Sequence, residues 1–203
     1  MRNKMRRRIL TLLLLLACLP FPLRAQAPVR LTDGPRADAI AAILAANDIR
    51  TSLQFCFTMT RHSPLLTEDL VSQGRACFVF PDKVRWEVTS PRPSLFVING
   101  LDAGDRRMQS LLRNLSRIQE KGLINDTDFA VTVYAVPGQW QVDMVPLRRD
   151  LGQLFSLVTL LADPATGTLR SVVLTGTGGD LTQLELRDVV KGQPLDDALF
   201  RKP

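Results

Sequence analysis

From residue 53 onward, apolar and polar side chains alternate. Leu53, Phe55, Phe57 and Met59 are separated by Gln54, Cys56 and Thr58, and this period of two predicts a strand with one apolar face. A second strand sets Ala76, Phe78 and Phe80 against Arg75 and Cys77. A third follows the turn at Pro81-Asp82 and sets Val84, Trp86 and Val88 against Arg85, Glu87 and Thr89. A fourth, from Leu95 to Ile98 and including Phe96, closes at Asn99-Gly100. These four read as an antiparallel meander.

Two segments carry the helical period instead. Ahead of the meander, Ile40, Ile43 and Leu44 share a face within a helix expected from about Arg36 to Asn47, with alanines that permit close packing on a sheet. The stretch 26–35, with Asp33-Gly34-Pro35, reads as a linker and helix start. After the meander, Met108, Leu111, Leu112, Leu115 and Ile118 line one side of a second helix, with Asp105 at its start and Gly122 at its stop. Arginines 106, 107, 113 and 117 take its other side. Interrupting a β-rich pattern, it is either a fixed core layer or a lid.

Strands then resume. They are expected over 130–136, 139–145 (where Trp140, Val142 and Met144 alternate with Gln141 and Asp143), 154–161, 169–175 and 181–189. Evenly spaced short strands of this kind point to a sandwich or barrel. At 203 residues the chain suits one domain, placed at 36–203.

Residues 1–25 read differently. Five basic residues precede an apolar run from Ile9 to Leu19, followed by Pro20, Pro22 and Ala25, the layout of a secretory signal peptide too short to span a bilayer. Cleavage after Ala25 gives a soluble exported protein. The alternative is a loose lipobox, Leu15 to Cys18, that anchors the chain through a lipid on Cys18. Six of the 26 basic residues lie in this segment, so the remainder balances 20 basic against 20 acidic residues and the electrostatic case for nucleic acid disappears. In an oxidising compartment Cys56 and Cys77 read as a disulfide pair, with two buried free thiols as the alternative.

Little in the sequence points to catalysis. There is one histidine, His62, and no cluster with metal-ligand spacing. Nucleophile elbows and phosphate loops are absent, and Gly176-Thr177-Gly178-Gly179 lies between strands rather than before a helix. No catalytic residue, metal or cofactor is expected. The large side chains Phe55, Phe57, Phe78, Phe80 and Trp86 fall on neighbouring strands and either fill a core or line a cavity.

Read in order, Phe57-Thr58, Gly74-Arg75, Phe80-Pro81, Arg85-Trp86-Glu87, Ser90-Pro91 and Asn99-Gly100 resemble the amino-terminal half of the outer-membrane lipoprotein carrier (LolA-like) family. The stretches 140–146, 167–174 and 180–189, with Asp197-Ala198-Leu199-Phe200, resemble its second half. Two positions depart from the pattern. Phe80 stands where the family has an arginine tied to holding the lid, and the strands usual after Asn99-Gly100 are shortened.

The resemblance implies a mainly β fold with helices (α+β): an incomplete antiparallel β-barrel or curved sheet, covered by lid helices around a hydrophobic cavity. It also implies a monomeric, non-enzymatic periplasmic carrier that takes lipoprotein acyl chains from inner-membrane release machinery to an outer-membrane receptor. In that reading the acyl-contacting residues of the meander are Leu53, Phe55, Phe57, Met59, Phe78, Phe80, Val84, Trp86, Val88 and Phe96. Leu111, Leu112 and Leu115 join them from the second helix, and Trp140, Val142 and Met144 from the later strands. Competing readings are a periplasmic binder of another lipid, such as a glycolipid or polyketide intermediate, and an envelope structural module with a filled barrel.

Overall fold

The computed structural model describes residues 27–100 and 121–201. The signal segment 1–25 with Cys18, and the expected helix from Asp105 with Leu111, Leu112 and Leu115, lie outside the described residues.

Among the described residues, ten strands form one antiparallel sheet: β1 (Val29–Leu31), β2 (Ser52–His62), β3 (Leu70–Val79), β4 (Lys83–Ser90), β5 (Ser94–Asn99), β6 (Phe129–Val136), β7 (Gln139–Pro146), β8 (Phe155–Ala162), β9 (Leu169–Gly176) and β10 (Leu181–Lys191). Their order is β1-β6-β7-β8-β9-β10-β2-β3-β4-β5. The sheet is therefore two meanders joined where β10 pairs with β2, and it stays open, with β1 and β5 at its edges. The described helices are α1 (Asp33–Ala46), a single turn α2 (Arg149–Gly152) and a 3-10 turn at Asp197–Phe200.

The fold class that the resemblance implies, mainly β with helices and built on an incomplete antiparallel barrel or curved sheet, is the observed one, in the form of an open curved sheet with few short helices among the described residues. One element departs from expectation at the amino end of the fold. Part of the stretch read as a linker is a strand, since Val29, Arg30 and Leu31 pair with Ala135, Tyr134 and Val133, and α1 starts at Asp33 rather than Arg36. Three residues carry too little alternation to signal a strand; the exposed edge of β6 supplies the template.

Register carries the apolar stripe across the whole sheet. Phe57 faces Leu186 of β10 on one side and Gly74 on the other, Phe55 faces Ala76, and Ala76 faces Trp86, which faces Phe96. In the other meander Val133 faces Val142, Val142 faces Leu160 and Leu160 faces Val172. Directly opposed residues of an antiparallel pair point to the same face, so these stripes make one continuous concave apolar surface.

Helix α1 covers only part of it. Ala39 and Ile43, both fully buried, pack with Val133, Val142, Met144, Leu160 and Ala162. The helix comes close because Gly167, at φ +71°, has no side chain: a Cβ there would sit 2.5 Å from the Ala42 carbonyl oxygen. Over β2 to β4 the surface closes on itself instead. Phe57 stacks on Trp86 with ring centroids 4.3 Å apart, and Phe55 meets Trp86 edge-on at 6.4 Å.

Candidate functional site

Between the end of α1 and the junction of the two meanders lies a cavity of about 370 Å³, within the range of about 300–1,000 Å³ typical of small-molecule sites. Leu44 and Ala45 of α1, Ile49 of the α1–β2 connection, Leu53 and Phe55 of β2, and Phe80, Leu123, Leu169, Leu186 and Val189 form its apolar walls. Asn47, Asp48, Arg50 and Lys191 are its polar lining. The arrangement is amphipathic.

Of the expected contact residues, Leu53, Phe55 and Phe80 line this cavity. The remaining described ones share the concave face without lining it. Met59, Phe78, Trp86 and Val88 pack around Phe55 and Phe57, and Val84 and Phe96 pack with Ile98 and Phe78. Trp140 packs against the core beneath α1. Val142 and Met144 are 0 % and 2 % exposed under α1, and Phe57 is 0 % exposed under Trp86. These three are core, because α1 and the Trp86 ring take the surface that a ligand would need. The lining residues that the sequence reading did not name as contacts include Leu44, Ile49, Leu123, Leu169, Leu186, Val189, Asn47 and Lys191.

Asn47 organises the polar end. Its side-chain amide donates to the carbonyls of Ile43 (2.7 Å) and Gly167 (2.9 Å), while its Oδ1 accepts from the Leu169 N–H (3.3 Å) and from Lys191 Nζ (3.4 Å). One side chain thereby joins the end of α1, the β8–β9 hairpin and β10. Lys191 also donates to the Ala46 carbonyl in the last turn of α1, where a cation is favoured. Burial pushes the Lys191 ammonium below its usual range. Asn47→Ala should cost about 2–3 kcal/mol, because it strips partners from half-buried backbone groups. A urea midpoint unchanged from wild type would contradict this.

The cysteine expectation needs correction. Cys56 and Cys77 lie on adjacent strands, but Cys56 is opposite Arg75 and Cys77 opposite Gln54, so they are diagonal neighbours and both thiols are free. Diagonal pairs stand about 7–8 Å apart, at or beyond the roughly 7 Å limit of Cα separation for a bridge. Burial pushes the Cys77 thiol up, with Arg75 and Arg85 opposing. His62 ends β2 and meets Asp69 at 2.8 Å on the exposed surface. Among the described residues no group of His, Cys, Asp and Glu side chains could hold a metal ion, and no helix is long and apolar enough to cross a membrane.

No protein-family model matches the chain. An outer-membrane lipoprotein carrier protein of Pseudoalteromonas translucida (strain TAC 125) is 26% identical over 140 residues, covering 63% of this chain. The match spans 65% of that relative's length, short of two thirds. Among solved structures, a LolA superfamily protein from Nitrosomonas europaea aligns with a TM-score of 0.40 and 10% identity, over 80% of this chain and 97% of its own. A chain of the Pseudomonas aeruginosa MucA/MucB complex aligns with a TM-score of 0.42 and 15% identity, over 84% of this chain and 62% of its own. The chain is thus similar in sequence to an outer-membrane lipoprotein carrier, and the likeness is distant.

Proposed function

We propose that this protein is a periplasmic carrier that binds the acyl chains of lipoproteins and escorts them from the inner to the outer membrane. The observation that carries the reading is the cavity at the end of α1, walled by Leu53, Phe55, Phe80, Leu186 and Val189. Each methylene moved from water into such walls contributes about 0.8 kcal/mol, so an acyl chain is held by burial alone and released without chemistry. Sequence similarity to a lipoprotein carrier supports the choice of cargo. In this role the protein acts as a chaperone in outer-membrane biogenesis. It collects cargo from a release machinery in the inner membrane and passes it to a receptor in the outer one.

Native mass spectrometry of the protein isolated from its own envelope tests the cargo. Acylated peptide is the expected adduct; free lipid would move the reading to a binder of another lipid, and an empty protein would count against a carrier. The site is tested by Leu53→Asp and Phe80→Asp, which place a carboxylate on partly exposed cavity walls. Both should lower lipid occupancy at least tenfold, since a charge cannot be buried against an alkyl chain. The fold should survive in both, as neither residue is fully buried. Phe57→Glu would not serve, because Phe57 is core and its loss would unfold the meander.

A further inference from the structure

Strict alternation along β10 would send Lys191 to the convex, solvent-facing side. Leu184 and Leu186 face Met59 and Phe57 on the concave side, so Val189 and Lys191 should lie opposite them. The register instead slips by one residue between Arg187, opposite Cys56, and Val190, opposite Gln54. Asp188, at φ +53°, sits in this bulge. An extra residue inverts the facing of everything after it. Lys191 is consequently opposite Leu53, on the concave side, and lines the cavity together with Val189.

A lysine turned into an apolar cavity is costly unless its charge is met. Its neighbours here are neutral oxygens, the Ala46 carbonyl and Asn47 Oδ1. Among the described residues no carboxylate lies within ion-pair distance of it. An ammonium has three N–H donors, so one donor and the full charge remain for a ligand. The apolar walls Leu53, Phe55 and Leu186 lie beside it in the same cavity.

We infer that the cavity selects amphiphiles that carry an anionic head, carboxylate or phosphate, next to the acyl chain, with Lys191 as the residue that reads the head. This shares with the carrier reading the acyl-binding cavity and goes beyond it, because a free amphiphile with an anionic head is a ligand class distinct from the acylated end of a lipoprotein, whose ester and amide linkages are neutral. Capping of α1 by Lys191 explains its contact with Ala46 but not the bulge that turns the strand, since a cap could be supplied from the surface.

The test is displacement of the neutral reporter N-phenyl-1-naphthylamine from the full-length protein by three ligands of equal chain length: palmitate, palmitoyl lysophosphatidic acid and monopalmitoylglycerol. Wild type should bind at least one anionic ligand about tenfold more tightly than the neutral one, as a charge-assisted hydrogen bond in a partly dry site provides. Preference for palmitate alone marks a fatty-acid type head and preference for the lysophosphatidic acid a phospholipid type; both support the proposal. Lys191→Gln should erase the preference between anionic and neutral ligands, and Lys191→Arg should keep it, because the charge remains. Equal wild-type affinity for all three would overturn the inference and leave the carrier reading standing. Binding of none of them would overturn the inference as well, and the adduct found by native mass spectrometry would then decide the carrier reading on its own. Should Lys191→Gln prove unstable, the wild-type comparison and Lys191→Arg still decide.

Discussion

Gly74→Ala should destabilise the protein by more than about 3 kcal/mol, more than most single substitutions do. A Cβ at this position would lie 2.0 Å from the Glu87 carbonyl oxygen and 2.6 Å from Phe57 Cζ. Neither neighbour can retreat. Glu87 is held in the ladder between Arg75 and Leu95, so moving its carbonyl breaks pairing on both sides of β4. Phe57 is fully buried, with its ring stacked on Trp86, and tilting it away would open that stack. The glycine is there because the ring of Phe57 crosses directly above its Cα, the close approach for which a strand accepts glycine. Gly34→Ala is the control. Nothing lies within 4 Å of a Cβ at Gly34, in the first turn of α1, so this change should be neutral or stabilising by up to about 1 kcal/mol. Urea denaturation of both variants checks the pair, and equal midpoints would refute the packing account.

The meander from Leu53 to Ile98 is legible in the sequence because one face is buried and the other solvated, the condition under which period-two alternation is clean. The same logic placed the later strands to within about two residues, the usual uncertainty of element ends. It could not separate core from cavity. Phe57, Val142 and Met144 carry the same signal as Leu53 and Phe55; only the position of α1 and the Trp86 ring distinguishes them. Leu44, Asn47 and Ile49 went unrecognised because the cavity opens at the junction between α1 and β2, where no period is sustained. Lys191 was unreadable for a sharper reason. Its facing depends on one extra residue near Asp188, and a bulge leaves the alternation intact on either side while inverting its sense. The cysteines failed similarly. Sequence places both thiols on one face, but their offset depends on the β2–β3 register, which is set by how the chain turns between His62 and Leu70.

Phe200→Ala should cost about 3 kcal/mol and expose a second thiol. The 3-10 turn Asp197–Phe200 packs on the convex face, away from the cavity, where Phe200 is 1 % exposed and buries Cys77 and Val97, with Val79, Leu195 and Leu199 around them. Removing a buried aromatic ring costs about 3–5 kcal/mol, and the lower end is expected because the segment can settle onto Val97. Its polar tethers count for less. Arg85 donates to the Leu199 carbonyl at 3.1 Å, and Lys83 meets Asp197 at 2.7 Å with the carboxylate mostly in water. Lys83→Met should therefore leave the urea midpoint close to that of the wild type. Lys83 holds the Asp197 carboxyl below the usual carboxylate range, so this tether is present at neutral pH and is lost only as pH falls through that lowered value. The thiols give an independent readout. In wild type, iodoacetamide should label half-buried Cys56 well ahead of Cys77, which is 2 % exposed and held protonated by burial. In Phe200→Ala the lid over Cys77 is gone, so its labelling should approach that of Cys56, while Lys83→Met keeps the wild-type order. Peptide mapping by mass spectrometry separates the two sites. If Phe200→Ala left both the urea midpoint and the Cys77 rate unchanged, the docked segment would have to be judged dispensable to the sheet beneath it.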